Sequence, residues 1–374
     1  MYGGRSGEHE VSLASAAAVL ANLDRDKYEP VAIRIEKDGR WVLADRPPSA
    51  ASAADVIEQV RQGNRARGGR EVMMQARPGD DTLLVVDRRA GGSDDAAAIV
   101  TGLGLDVIFP VLHGPYGEDG TVQGLLELAD VAYVGCGVLA SAVGMDKAVM
   151  KVLFKARGLR IAPWVQVRQP QWTAERDAVI AHIGATLKYP LFVKPANLGS
   201  SLGISKVSTP DTLGAAIDLA GGFDPKVVVE HAVKGAREIE CAVLGNDTPE
   251  ASVPGEVIPS GDFYDYTAKY ISSGSRIQIP ASLPTHIAED VRQQSLIAFD
   301  AIDGAGLARV DFLLSSTNRL FINEINTMPG FTTISMYTQL WAASGVDYST
   351  VIDRLITLAV DRHSGQRRRQ TSAS

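Results

Sequence analysis

Two apolar rhythms divide this chain. Residues 30–36, 82–87 and 106–112 are short apolar runs of the kind buried strands show. Between them, and in Val11-Ser-Leu-Ala-Ser-Ala-Ala-Ala-Val-Leu20, the spacing is helical. This alternation predicts a parallel α/β domain over residues 1–138. The glycine-rich turn Gly3-Gly-Arg-Ser-Gly-Glu8 opens the first helix, and such a turn ordinarily follows a buried strand. Only Met1 and Tyr2 precede it, so a strand of about 5–6 residues and a start codon further upstream are expected. Residues 47–79, rich in Ala, Ser, Pro, Gly and Arg, read as a surface excursion without chemistry.

From residue 139 the pattern changes. Asp146-Lys147 falls in a helical stretch ending near Gly158, 190–195 reads as a strand, 197–203 as a tight loop and 204–207 as a second strand. Ser208-Thr-Pro210 caps the next helix, with proline in its first turn. These elements predict a small α+β unit over 139–222. A third unit, 223–363, holds long strands, a polar-aromatic loop at 262–274, a helix at 284–302, a hairpin and two closing helices. The basic, polar tail 364–374 is expected to be disordered.

A length of 374 residues suits two or three domains at about 150 residues each. The formal net charge of −7 argues against nucleic-acid or membrane-surface binding through bulk charge. The six histidines are scattered, with no pair at zinc-site spacing. The two cysteines, Cys136 and Cys241, make no disulfide framework and suit a reducing compartment. No apolar run reaches the roughly 20 residues of a membrane span and no secretory leader is visible, so a cytoplasmic protein is expected.

The hairpin carries the most chemistry. Arg309-Val-Asp311 and Glu324-Ile-Asn326 flank a polar Ser-Ser-Thr-Asn turn. Alternate side chains share a face of a strand, so the four polar residues can meet on one side. Oxygen donors of this type suit Mg²⁺, and an arginine beside them suits a developing anion. A salt-bridged surface would use the same acids but would not need the Asn or the Pro329-Gly330 turn. The loop Gly199-Ser200-Ser201-Leu-Gly203 offers backbone amides and hydroxyls to an anion, with Lys147 and Lys194 in apolar contexts on either side. Neither a Walker A nor a dinucleotide fingerprint is present. Glu230 and Glu238 are acids on strands, suited to a ribose or to a solvated edge. The loop 263–270, with Lys269 and Tyr270, has the composition of a lid or of a packed surface loop. Glu8 and His113 lie at the expected C-terminal edge of the first sheet, where α/β proteins bind ligands.

Six segments in order carry a resemblance over nearly the whole chain. They are residues 3–12, His-Gly-Pro-Tyr-Gly-Glu-Asp-Gly (113–120), Gly-Met-Asp-Lys (144–147), Val-Lys-Pro-Ala-Asn-Leu-Gly-Ser-Ser (193–201), Phe-Tyr-Asp-Tyr-Thr-Ala-Lys-Tyr (263–270) and Asn-Glu-Ile-Asn-Thr-Met-Pro-Gly (323–330). Together they resemble the D-alanine–D-alanine ligases of the ATP-grasp superfamily. The resemblance implies an ATP-grasp fold and ligation of two D-alanines through an acyl phosphate, for peptidoglycan precursors, by a cytoplasmic homodimer. It implies that Glu8 holds the ammonium of the first D-alanine with His113 nearby. Lys147, Lys194 and the loop Gly199, Ser200, Ser201 and Gly203 would grip the ATP phosphates, with Lys269 approaching the transferred one. Glu230 and Glu238 would meet adenine and ribose, while Asp311, Glu324 and Asn326 would hold two Mg²⁺ (or Mn²⁺). Arg309 and the Gly330 amide would stabilise the tetrahedral oxyanion, and Ser335 and Met336 would receive the second D-alanine. Tyr270, Ser200 and Glu8 match a linked triad of the family. Lactate-preferring members tend to have Phe at the lid tyrosine, so Tyr270 points to the dipeptide. A regulatory ATP-binding module would have lost a metal ligand or the arginine.

Overall fold

The computed structural model describes residues 1–45, 48, 53–61, 69–78, 83–88, 98–199, 202–258 and 276–367. At the N-terminus the expected parallel pairing is present but short. Strand Tyr2–Gly3 lies parallel to Ile33–Ile35 and bridges Val111, while Val107–Ile108 lies parallel to Ala132–Tyr133. Helix His9–Asn22 supplies the crossover between the first two strands. From Trp41 onward the pairing is antiparallel: Trp41–Leu43, Arg70–Met74, Leu83–Arg88 and Ala98–Leu103 extend the sheet as a ribbon. The connection 36–40 is too short for a crossover, which takes a dozen residues or more, so the chain can only turn back on itself. Part of the 47–79 excursion is therefore sheet. Val72, Leu83 and Val85 of the ribbon bury against Ile33, Ile108 and Leu126.

The middle unit is an antiparallel sheet in the order Ser205–Val207, Leu191–Pro195, Lys226–His231, Trp164–Arg168. Val193, Val227 and Val229 face helices Arg176–Thr186 and Leu213–Gly221 in one core. Strand Lys226–His231 belongs to this sheet, so the unit runs beyond the boundary expected at residue 222. Asp146 does not lie inside a helix. It is the joint between helices Val138–Met145 and Lys147–Ala156, and its carboxylate accepts the amides of Ala148 and Val149.

The third sheet centres on Arg237–Gly245, Gly306–Leu314 and Leu320–Asn326. Cys241, Val243, Val310 and Phe312 pack against helix Thr285–Ala301. The opposite face carries Ala242, Leu244 and Leu307 under helices Met336–Ala343 and Tyr348–Arg367. That same face continues into Glu238, Glu240, Arg309 and Asp311, where the closing helices no longer cover it. The last helix runs to Arg367, four residues into the expected disordered tail. Arg367 and His363 both reach Asp130, and Arg362 donates to the carbonyls of Tyr133 and Gly135.

Candidate active site

The site is a cleft of about 780 Å³ between the middle and third sheets, lined by Lys147, Lys194, Gly199, Glu230, Glu238, Glu240, Asp311, Asn323 and Glu324 among others. The hairpin forms its floor. Arg309 pairs with Asn326 and Asp311 with Glu324 across the ladder, so all four side chains share a face. Immediately afterwards the register slips, and Phe312 pairs with Ile322. Asn323 is the extra residue of a β-bulge, which lets Asn323 and Glu324 open to the same side. A regular strand would have turned one of them into the core with Ile322 and Ile325.

Arg309 is held by two neighbouring carboxylates that meet at its Nε. Its Nε lies 2.9 Å from Glu240 Oε2, and it grips Asp311 through two bonds of 2.7 Å. Asn326 Nδ2 donates to Asp311 at 3.0 Å, which leaves Asn326 Oδ1 for another partner. Among the described residues no three His, Cys, Asp or Glu side chains form a ready-made metal cluster. The donor set is instead two carboxylates and an amide oxygen, which is the chemistry of a hard cation that keeps water and substrate oxygens as further ligands.

Cations line the opposite wall. Lys147 Nζ donates to the Leu198 carbonyl at 2.7 Å and lies 3.5 Å from Glu324, tying the glycine-rich loop to the hairpin. Lys194 pairs with Glu230 and donates to Asn323 Oδ1 at 3.3 Å. Glu230 also receives Lys151 at 2.8 Å. Burial alone would raise the Glu230 carboxyl, but the ammonium groups of Lys151 and Lys194 hold it at about 2. Glu230 thus pairs with two lysines where it lines the cleft. Asp224 anchors the base of the loop, accepting Asn197 N at 2.6 Å and Nδ2 at 2.8 Å. Gly203 has φ +71, and a Cβ there would lie 2.6 Å from Phe223, so only glycine fits.

At the cleft's N-terminal end Glu8, at the start of helix His9–Asn22, is buried beside Glu118. A Cβ on Gly199 would stand 3.1 Å from Glu118 Oε1 and 3.5 Å from Glu8 Oε1, so the loop backbone comes directly up to both carboxyls. Burial first, then the charge of Glu8, pushes Glu118 up to about 8. His113 has both ring nitrogens committed, to Ser15 Oγ and to the Met328 carbonyl, each at 3.0 Å. Its part is to hold the loop before Gly330. Ser335 stands just before helix Met336–Ala343, and its Oγ accepts Thr332 N at 2.9 Å. The Met336 side chain is buried with Leu340 and Trp341, which leaves its backbone for a substrate. Ser200, Ser201, Lys269 and Tyr270 lie outside the described residues.

Lys151, Asn323, Glu240, Glu118 and Ser15 did not stand out in the sequence as site residues. Lys151 had a usable signal, since it lies one turn from Lys147 on the same helix face.

Profiles of the D-ala D-ala ligase N-terminus and C-terminus match residues 1–136 and 153–357. A D-alanine–D-alanine ligase of Kocuria rhizophila is 46% identical over 98% of this chain and 94% of its own. The chain belongs to the D-alanine–D-alanine ligase family. A second relative of that name, from Paenarthrobacter aurescens, is 47% identical over 98% of this chain and 96% of its own. Among solved structures, the D-alanine–D-alanine ligase of Coxiella burnetii superposes with a TM-score of 0.78 at 34% identity, covering 98% of this chain and 94% of that one. The VanG D-Ala:D-Ser ligase of Enterococcus faecalis superposes at 0.81 with 33% identity, covering 96% and 97%. The enzyme is an ATP-dependent ligase that joins two D-alanines, a step of cell-wall synthesis. No helix among the described residues is long and apolar enough to cross a membrane.

Proposed function

We propose that the cleft holds ATP with its phosphates between Lys147, Lys194 and the 199–203 loop, and that the hairpin face runs the transfer. The observation that carries this is the shared face of Arg309, Asp311, Glu324 and Asn326 standing across the cleft from the two lysines. The carboxylate of the first D-alanine, its ammonium held by Glu8, takes the terminal phosphoryl group and becomes an acyl phosphate. The amine of the second D-alanine then attacks that carbonyl and phosphate leaves. Arg309 and the Gly330 amide meet the negative charge that develops on the carbonyl oxygen. Lys147 and Lys194 hold the phosphates in line, which is most of what a protein contributes to such a transfer. Asp311, Glu324 and Asn326 would hold two Mg²⁺ or Mn²⁺, whose contribution when bound is to neutralise the phosphate oxygens. Glu238 serves the ribose end, Ser335 and the Met336 backbone the second D-alanine, and Lys269, Ser200 and Tyr270 the closed state.

The family relationship further supports a cytoplasmic homodimer of three structural units, with the middle one closing after His231. Light scattering at micromolar concentration tests the dimer. The activity test is ADP release with D-alanine, L-alanine, D-serine and D-lactate, each product identified by mass. D-alanyl-D-alanine is the expected main product, and equal turnover of L-alanine would overturn the assignment. Asn326→Ala should raise the Mg²⁺ concentration needed for half-maximal rate. An unchanged Mg²⁺ requirement would remove Asn326 from the metal site.

A further inference from the structure

Helix Lys147–Ala156 buries two lysines beside its core residues Met150 and Phe154. Its valines face solvent, Val149 42% and Val152 56% exposed, while Lys147 and Lys151 are 6% and 1% exposed. Burying an ammonium is costly unless a partner compensates it, so each of the two inward lysines calls for a partner. Lys147 has an evident task at the glycine-rich loop and Glu324. Lys151 does not line the cleft. Its ammonium meets Glu230 Oε2 at 2.8 Å, and the other oxygen of that carboxylate holds Lys194.

We propose that Lys151 is a positioning residue that keeps the charge of Lys194 available to the ATP phosphates by sharing Glu230 with it. This rests on the reading that Lys194 meets those phosphates. The trio of two ammoniums and one carboxylate carries a net charge of one plus. Without Lys151 the sum is zero, and Glu230 has a single cation to draw upon. An ammonium has three N–H groups. Lys194 gives one to Glu230 and one to Asn323 Oδ1 at 3.3 Å, and the third is left for a phosphate oxygen. Glu230 alone would pull Lys194 back towards the sheet. With Lys151 holding the second oxygen, the carboxylate is fixed, and Lys194 is steadied without being neutralised.

The test uses the full chain and two probes, ADP and adenosine, displacing a fluorescent ADP analogue without D-alanine. Lys151→Met should weaken ADP about tenfold, the order expected for one charge at an effective dielectric near 20, and leave adenosine unchanged. Lys151→Arg keeps the charge and should stay within about twofold for both probes. Lys151→Met/Glu230→Gln restores the net charge of one plus and should recover ADP binding. It also removes the carboxylate oxygen that has lost its cation, so it keeps the proposal testable if Lys151→Met does not fold. The proposal is overturned if adenosine and ADP weaken together in Lys151→Met, or if the double variant binds ADP as poorly as the single. Lys194→Met separates the underlying reading. If that variant binds ADP as the parent does, the placement of the phosphates is wrong. If it binds ADP poorly while Lys151→Met does not, the role of Lys151 alone is refuted.

Discussion

Ser15 Oγ accepts the backbone N–H of Phe331 at 3.2 Å, joining residues 316 apart in the chain. The same hydroxyl bonds His113 Nε2. A carbonyl can only accept, so the bond to Met328 O fixes the His113 proton on Nδ1, and Nε2 accepts from Ser15. This relay clamps the first helix, which begins beside Glu8, to the loop that carries Gly330. Ser15→Ala leaves the Phe331 amide and His113 Nε2 unpaired in a buried site, at a cost of about 1–3 kcal/mol for such a group. Thermal unfolding should show the loss. The turnover number should fall more than ATP affinity does, since Gly330 is loosened and the lysines are not. A variant with parental stability and rate would show that the relay holds nothing.

The neutral state of His113 sets a pH limit. Burial holds its pKa at about 4 against an ordinary 6.5. Between those values the unfolded chain binds a proton that the folded one refuses, so stability falls as pH falls through this window. The loss by pH 4 is roughly 3 kcal/mol, at 1.36 kcal/mol per unit. Urea unfolding at pH 7, 5.5 and 4.5 should show a stability difference between parent and His113→Gln that shrinks with acidification. A constant difference would mean that His113 does not titrate in this way.

Glu240 stands opposite Asp311 across the ladder and lies 2.9 Å from the same Arg309 Nε that Asp311 grips. Glu240→Gln weakens that hold, and Arg309 then leans on Asp311, the residue assigned to the metal. The turnover number should drop about 10- to 100-fold, the scale of a lost charged hydrogen bond, and the half-saturating Mg²⁺ concentration should rise. If Mg²⁺ titrations of parent and variant superimpose, Glu240 does not govern Asp311.

Deleting Asn323 should straighten the hairpin without turning it over. Ile322 and Ile325 would still face the core, and Glu324 and Asn326 the cleft. The lost contact is the one to Lys194. The deletion variant should fold, keep its Mg²⁺ requirement and show a several-fold higher KM for ATP, in line with one neutral–charged hydrogen bond. Loss of Mg²⁺ dependence instead would place the bulge in the metal site itself.

These residues mark where sequence reading works. The alternation of Arg309/Asp311 and Glu324/Asn326 was legible because it depends on the two-residue period of a strand alone. The bulge was not, because an inserted residue leaves no trace in composition, and only the partner strand reveals that Asn323 has no opposite number. Glu240 looked like any acid on a strand until Asp311 was placed beside it by the register. Lys151 was hidden by the ordinary expectation that lysines are solvated. The antiparallel ribbon after Trp41 followed from a loop too short to cross over, a cue that strand composition alone obscures. Ser15 could not be found at all without the fold, since its partners lie in distant segments.

Asp130 waits a long time for its partners. Arg367 lies 237 residues downstream, so a ribosome adding roughly 5–20 residues per second needs on the order of 10–50 s to supply it. The first domain therefore leaves the ribosome with the docking surface for helix Tyr348–Arg367 uncovered, and that surface is covered only after Arg367 has been made. Chains stalled before residue 348 should be cut by protease near 130–137 far faster than released ones. In effect, helix Tyr348–Arg367 acts as a delayed latch: the surface around Asp130 closes only once synthesis has passed Arg367.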